Sequence, residues 1–168
     1  MIDFEASCLP EYGQSFPIEV ALAEVHGESR MWLIRPAPEW EYWDWSPEAE
    51  ALHGLSRAQI EREGLPVEQV LAELTEAAEG CEVYADADLD AFWLETLAQA
   101  AGKPGPFPVR YMGELLEELG IERPQVVEAL AEARRQLPRE HAARDDALRL
   151  AMTLQLLLPH AKGSAGAA

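Results

Sequence analysis

Two acids stand one residue apart at the head of the chain, inside the short apolar run Met1-Ile2-Asp3-Phe4-Glu5-Ala6. Such a run reads as a strand. Side chains alternate along a strand, so Asp3 and Glu5 point to the same face. Two carboxylates on one strand face repel each other, and both resist leaving water unless a cation stands between them. Two readings follow from these six residues. One is an exposed strand with solvated acids. The other is a ligand pair for a hard divalent cation such as Mg2+ or Mn2+, which prefers oxygen donors. The rest of the chain has to decide between them.

With 168 residues the chain is long enough for one domain with its own core, read here as residues 1–160. No apolar run approaches the roughly 20 residues that cross a bilayer, so no membrane partner is expected. No basic segment followed by an apolar one opens the chain. Cys8 and Cys81 do not make a disulfide framework, and a reduced, cytoplasmic setting is the expectation. Cys8 has no partner that would mark it as a nucleophile and reads as a small filler. The formal net charge of −18 argues against a general binder of long nucleic acid, because Lys and Arg supply most of such affinity. It leaves room for an enzyme that holds a short piece of nucleic acid through metal ions.

Strands are expected over 2–5, 16–25, 31–35, 81–85 and 109–112. The short links between the first three suggest an antiparallel meander, with the fourth pairing parallel to the first after a helical crossover. Ser46-Pro47 opens a helix that His53-Gly54-Leu55-Ser56 breaks. Val67, Val70, Leu71, Leu74 and Ala78 form one helical face between Pro66 and Gly80. Further helices are expected after Asp90, over 114–119 and 124–137, and over 142–158, the last apolar on most sides and therefore buried. Trp40, Tyr42, Trp43 and Trp45 read as an aromatic plug on the sheet rather than a base-stacking platform. Residues 161–168 read as a disordered tail. The predicted class is α/β: a mixed five-stranded sheet flanked by helices.

Asp86, Asp88 and Asp90 lie where the fourth strand meets the next helix. Counted from Asp86, a calcium loop of the EF-hand type would need Gly and Glu where Ala91 and Leu97 stand, so that reading fails. A helix N-terminus attracts acids through its dipole, which accounts for one or two of the three. Near the start of the last helix come His141 and Asp146. The dipole there disfavours the charged imidazole, which suits a neutral base. Asp146 sits among Ala143, Ala147, Leu150 and Leu154, and an acid on a buried helix needs a partner.

At this point the chain resembles the proofreading-type 3′–5′ exonucleases, the DEDDh family on the ribonuclease-H-like fold. Asp3-Phe4-Glu5 matches the first motif. His53-Gly54-Leu55-Ser56 stands where the family often carries His-Gly-Ile-Thr. Ala85-Asp86-Ala87-Asp88-Leu89-Asp90 aligns Asp90 with the second-motif acid, and His141-Ala142-Ala143-Arg144-Asp145-Asp146 matches the third motif. The likeness runs from Ile2 to about Leu158. The chain departs from the family at Ala6-Ser7-Cys8, where many members have Thr-Thr-Gly, and at Ala85-Asp86, where many have His-Asn. Those positions often touch the terminal nucleotide.

The resemblance implies a metal-dependent 3′–5′ exonuclease that hydrolyses phosphodiester bonds at single-stranded 3′ ends of DNA or RNA. It implies two Mg2+ or Mn2+ ions, about 3.5–4 Å apart in such sites. Asp3 would bridge both, Glu5 and Asp146 would hold the ion that activates water, and Asp90 would complete the set. His141 would be the general base. Ala6, Ser7, His53 and Asp86 would contact substrate. The alternative is a catalytically inactive nuclease-fold module that binds a protein or nucleic-acid partner through its acidic surface. Arg134, Arg135, Arg139, Arg144 and Arg149 crowd around His141. They read either as helpers for a short substrate or as ion pairs with Glu128, Glu132, Glu140 and Asp145. The apolar last helix and the aromatic cluster leave room for a homodimer.

Overall fold

The structure, a computed structural model, describes residues 1–158. The expected tail, 161–168, lies outside the described residues. The first three strands are β1 (Ile2–Ala6), β2 (Pro17–Ala23) and β3 (Ser29–Leu33), paired antiparallel in that order. Asp3 lies opposite Ala21 and Glu5 opposite Glu19, so these four side chains share one face of the sheet.

The other face carries Ile2, Phe4, Ala6, Ile18 and Val20, all buried in the larger core. An aromatic plug closes one part of that core. Trp40 is 1% exposed and stacks on Phe16, with ring centroids 5.4 Å apart. Trp43 tilts against Trp40, and Trp45 against Phe16. Tyr42, expected in the same plug, is instead 87% exposed and stands apart from it.

Helices α1 (Pro47–His53), α2 (Arg57–Glu63) and α3 (Val67–Ala77) follow the sheet. Ser46 accepts from the Ala49 N–H at 3.1 Å and so caps α1, with Pro47 in its first turn. Gly54 ends that helix at φ 75°, a left-handed conformation that suits glycine. Val67, Val70, Leu71 and Leu74 bury one face of α3, as the periodicity predicts.

Strand β4 (Val83–Ala85), helix α4 (Leu89–Ala100) and strand β5 (Val109–Tyr111) come next, and β4 pairs parallel with β5. The expected single five-stranded sheet is corrected here: the ladders form a three-stranded and a two-stranded sheet. The reason lies at the edge of β1. The Phe4 N–H, which is not used by β2, donates to Asp90 Oδ1 at 3.0 Å rather than to a carbonyl of β4. A side chain thus takes the donor that a continuous ladder would need. Strands β4 and β5 are also only three residues long each, which leaves little ladder to extend. Met112, expected to finish β5, instead opens helix α5 (Met112–Glu118).

Helices α6 (Arg123–Gln136) and α7 (Ala143–Leu157) complete the described chain. Helix α7 lies on the Asp3–Glu5 face of the sheet. Its Ala143, Ala147 and Ala151 recur every four residues and share a second core with Ala21 and Ala23 of β2. Small side chains on both surfaces let the helix approach the sheet closely. That approach brings Asp146 toward β1. No helix of the described residues is long and apolar enough to cross a membrane.

Candidate metal centre

Carboxylate oxygens of Asp3, Glu5 and Asp146 all lie within 4.8 Å of one another. The three acids line a cleft of about 490 Å³ together with Asp86, Arg134, Glu140, His141 and Arg149. Strand alternation aims Asp3 and Glu5 at α7, and the alanine contact places Asp146 opposite them. Among the described residues this is the one group of His, Cys, Asp and Glu side chains with ligand spacing.

Without a cation Asp3, Glu5 and the neighbouring Asp90 resist ionisation. Burial drives the Asp3 carboxyl well above the usual carboxylate range, and the charges of Asp90, Glu5 and Asp146 add to it. Burial and then Asp146, Glu19 and Asp90 push Glu5 up to about 8. Asp90 is pushed up to about 7, chiefly by burial and then by Asp86, with the Phe4 N–H opposing. A divalent cation at the three oxygens would reverse this, since positive charge favours the deprotonated ligand. An all-oxygen donor set of this kind fits Mg2+ or Mn2+.

Asp90 stands outside the converging three. It is 3% exposed in the first turn of α4 and is tied to the backbone of β1 through Phe4. Asp86 and Asp88 are exposed, and Asp86 lines the cleft. His141 is exposed at the cleft rim, two residues before α7. Its φ of 58° is the one positive value on a non-glycine residue in the described chain. That conformation costs about 1 kcal/mol and needs the surrounding structure to hold it.

Ala6 and Ser7, expected to touch substrate, are buried. The Ser7 hydroxyl accepts from the Phe16 N–H at 3.2 Å, and its carbonyl accepts from the Ser46 N–H at 2.8 Å. This hydroxyl is thus engaged with the scaffold. Cys8 is buried, as expected of a filler.

His53 differs. It is 5% exposed, its Nδ1 accepts from the Leu55 N–H at 3.0 Å, and its Nε2 has no partner. Among the described residues it is the one buried side-chain polar atom left unsatisfied. Burial lowers its pKa, and the nearby His141 lowers it further against the pull of Glu50. A neutral ring that accepts at Nδ1 carries its proton at Nε2.

Two residues of the site went unread in the sequence as parts of it. Glu19, opposite Glu5, accepts from the Ala143 N–H at 2.8 Å and so anchors the first turn of α7. Its signal was an acid in the middle of an apolar strand. Arg149, grouped above with the surface arginines, is 6% exposed and paired with Asp146. The other arginines of that group are engaged at the surface: Arg134 with Glu140, Arg135 with Glu132, Arg139 with Asp145, and Arg144 with the Ser29 hydroxyl. For Arg134, Arg135 and Arg139 the ion-pair reading therefore fits better than a basic track does.

The arrangement of strands and helices is similar to that of solved 3′-exonuclease domains. The nuclease domain of 3'hExo, a DEDDh family member bound to rAMP, matches with a TM-score of 0.66 at 21% identity, over 92% of this chain and 88% of that one. The 3′-exonuclease that recognises the 3′ end of a histone mRNA stem-loop matches with a TM-score of 0.66 at 20% identity, over 92% of this chain and 61% of that one. Exonuclease I of E. coli, solved with a dT13 oligonucleotide, matches with a TM-score of 0.62 at 11% identity, over 93% of this chain and 40% of that one. No protein-family model matches the chain, and neither does any curated protein. At these identities the likeness establishes the fold.

The raised carboxyls make a prediction about stability. Glu5 titrates at about 8 in the fold against an ordinary 4.5, and Asp90 at about 7 against 3.8. Between those values the folded state holds more protons than the unfolded one, so stability falls as pH rises. In EDTA the melting temperature should drop by roughly 5 °C or more between about pH 5 and about pH 8. Mn2+ should restore it most strongly at the upper pH, where protons compete least with the metal. A metal-free melting temperature that rises across that interval would contradict the electrostatic account.

Proposed function

We propose that this chain is a metal-dependent 3′–5′ exonuclease that hydrolyses phosphodiester bonds at single-stranded 3′ ends of DNA or RNA. The observation that carries the reading is the convergence of the Asp3, Glu5 and Asp146 carboxylates in a cleft with His141 at its rim. The fold shared with 3′-exonuclease domains supports it.

Asp3, Glu5 and Asp146 would hold the metal ions, with Asp90, close enough for its charge to act on Asp3, completing the set. Two Mg2+ or Mn2+ ions held there would acidify the attacking water and stabilise charge on the leaving 3′-oxygen. His141 accepts the proton of the attacking water on an imidazole nitrogen. Its exposure lets it reach a water at the scissile phosphate and return the proton to solvent. By the family resemblance His53, whose unpartnered Nε2 is buried, would contact the 3′-terminal nucleotide, and Asp86 would contribute from the cleft wall.

The test is incubation with 5′-labelled DNA and RNA oligonucleotides, with Mn2+ or with EDTA. Products should shorten stepwise from the 3′ end in Mn2+ and stay intact in EDTA. His141→Ala should lower kcat by about 100-fold or more, the usual scale for a lost general base, while retaining Mn2+. Asp3→Ala should lose both metal binding and turnover. Asp90→Ala should cost far more than Asp88→Ala, whose side chain is exposed and makes no capping bond. Wild-type rates in His141→Ala would rule out its role as base.

Charge sets the substrate length. With a net charge of −18 and the arginines near His141 engaged, few cations remain to neutralise phosphates. Affinity should stop rising beyond a short oligonucleotide and show a shallow salt slope. Tight binding of long duplex DNA without metal, with a steep slope, would contradict this.

A further inference from the structure

We infer that Arg149 is a positioning residue that fastens Asp146 to the loop carrying His141, so that metal ligand and base move as one unit. The inference rests on the exonuclease reading for its catalytic consequence, and on geometry alone for the fastening itself.

Arg149 sits on α7 three residues after Asp146, one turn along the same face. It is buried, and a guanidinium cannot shed its charge, so every donor it buries needs an acceptor. It finds them in two places. Nη1 donates to Asp146 Oδ1. Nε and Nη2 both donate to the Leu137 carbonyl at 3.2 Å, and Nη2 also donates to the Arg139 carbonyl. The second oxygen of Asp146 accepts from the Ala142 N–H at 3.2 Å. Asp146 is thus tied to one end of the segment between α6 and α7, and Arg149 ties it to the other.

That segment runs between Gln136 and Ala143, outside regular structure. It contains His141 in its left-handed conformation. Backbone bonds of a helix or strand do not hold it, so buried side chains must. A simple ion pair with Asp146 would need one contact, from any cation. The bonds to Leu137 and Arg139 need the planar fork of an arginine, which a lysine ammonium cannot reproduce. The geometry therefore separates a positioning role from mere charge balance.

The experiment uses the full chain carrying Arg149→Met or Arg149→Lys. Amide hydrogen exchange is read by mass spectrometry with and without Mn2+, and turnover on a 3′-single-stranded oligonucleotide is measured at saturating Mn2+. Removing a group that orients a metal ligand typically costs about 10–100-fold, so kcat should fall by about 30-fold while KM stays within about threefold. The Ala142 amide, which donates to Asp146, should exchange about tenfold faster or more, with those of β2 unchanged. Arg149→Lys, which keeps the charge and loses the fork, should behave as the methionine variant does.

Wild-type loop protection and turnover in Arg149→Lys would overturn the inference and leave Arg149 a counter-charge. Full recovery of kcat by excess Mn2+ would also overturn it, since a misplaced base is not cured by metal. If Arg149→Met does not fold, the lysine variant decides alone. If wild-type protein degrades neither DNA nor RNA, the exonuclease reading falls, and loop exchange in the variants still decides whether Arg149 fastens the segment.

Discussion

Repulsion between half-buried carboxylates is the constraint around which this fold is arranged. Asp3, Glu5 and Asp146 point their oxygens at one another, with Asp90 and Glu19 close enough to add their charges. Nothing in the intrinsic preference of these side chains favours that arrangement. It is imposed by packing: strand alternation fixes Asp3 and Glu5, and the alanines of β2 and α7 set the distance to Asp146. Protons or a divalent cation would relieve that repulsion.

The surrounding groups divide the remaining work. Glu19 and Asp90 spend their carboxylates on backbone N–H groups, of Ala143 and Phe4, and so fix α7 and α4 against the sheet. Arg149 gives Asp146 a permanent cation and binds the segment before α7. The outer arginines offset neighbouring acids and leave the surface strongly negative. Such a surface repels phosphate unless bound cations offset its charge.

Much of this was legible in the sequence where a local rule decides position. Alternation put Asp3 and Glu5 on one face, periodicity gave the buried face of α3, the apolar run of the last helix gave its burial, and Ser-Pro and Gly marked the ends of α1. Long-range pairing was less legible. The division into two sheets depends on Asp90 reaching the Phe4 N–H, a contact spanning 86 residues that no local pattern announces. Ser7 looked available for substrate, yet a register shift between Glu5 and Ala6 accompanies its inward turn onto Phe16. Arg149 looked like its neighbours in a run of basic residues. Only its place on the apolar side of α7, one turn from Asp146, set it apart. The unsatisfied Nε2 of His53 could not be foreseen at all, because satisfaction is a property of the packed molecule.

The most direct measurement of the central claim is a count of bound Mn2+ by electron paramagnetic resonance, on wild-type protein and on Asp3→Asn at pH about 8, where the ligands are charged once metal binds. The account predicts about two ions per chain in the wild type and loss of at least one in the variant. Wild-type protein that binds no Mn2+, or a variant that binds it as the wild type does, would contradict the claim that these carboxylates are held together as a metal centre.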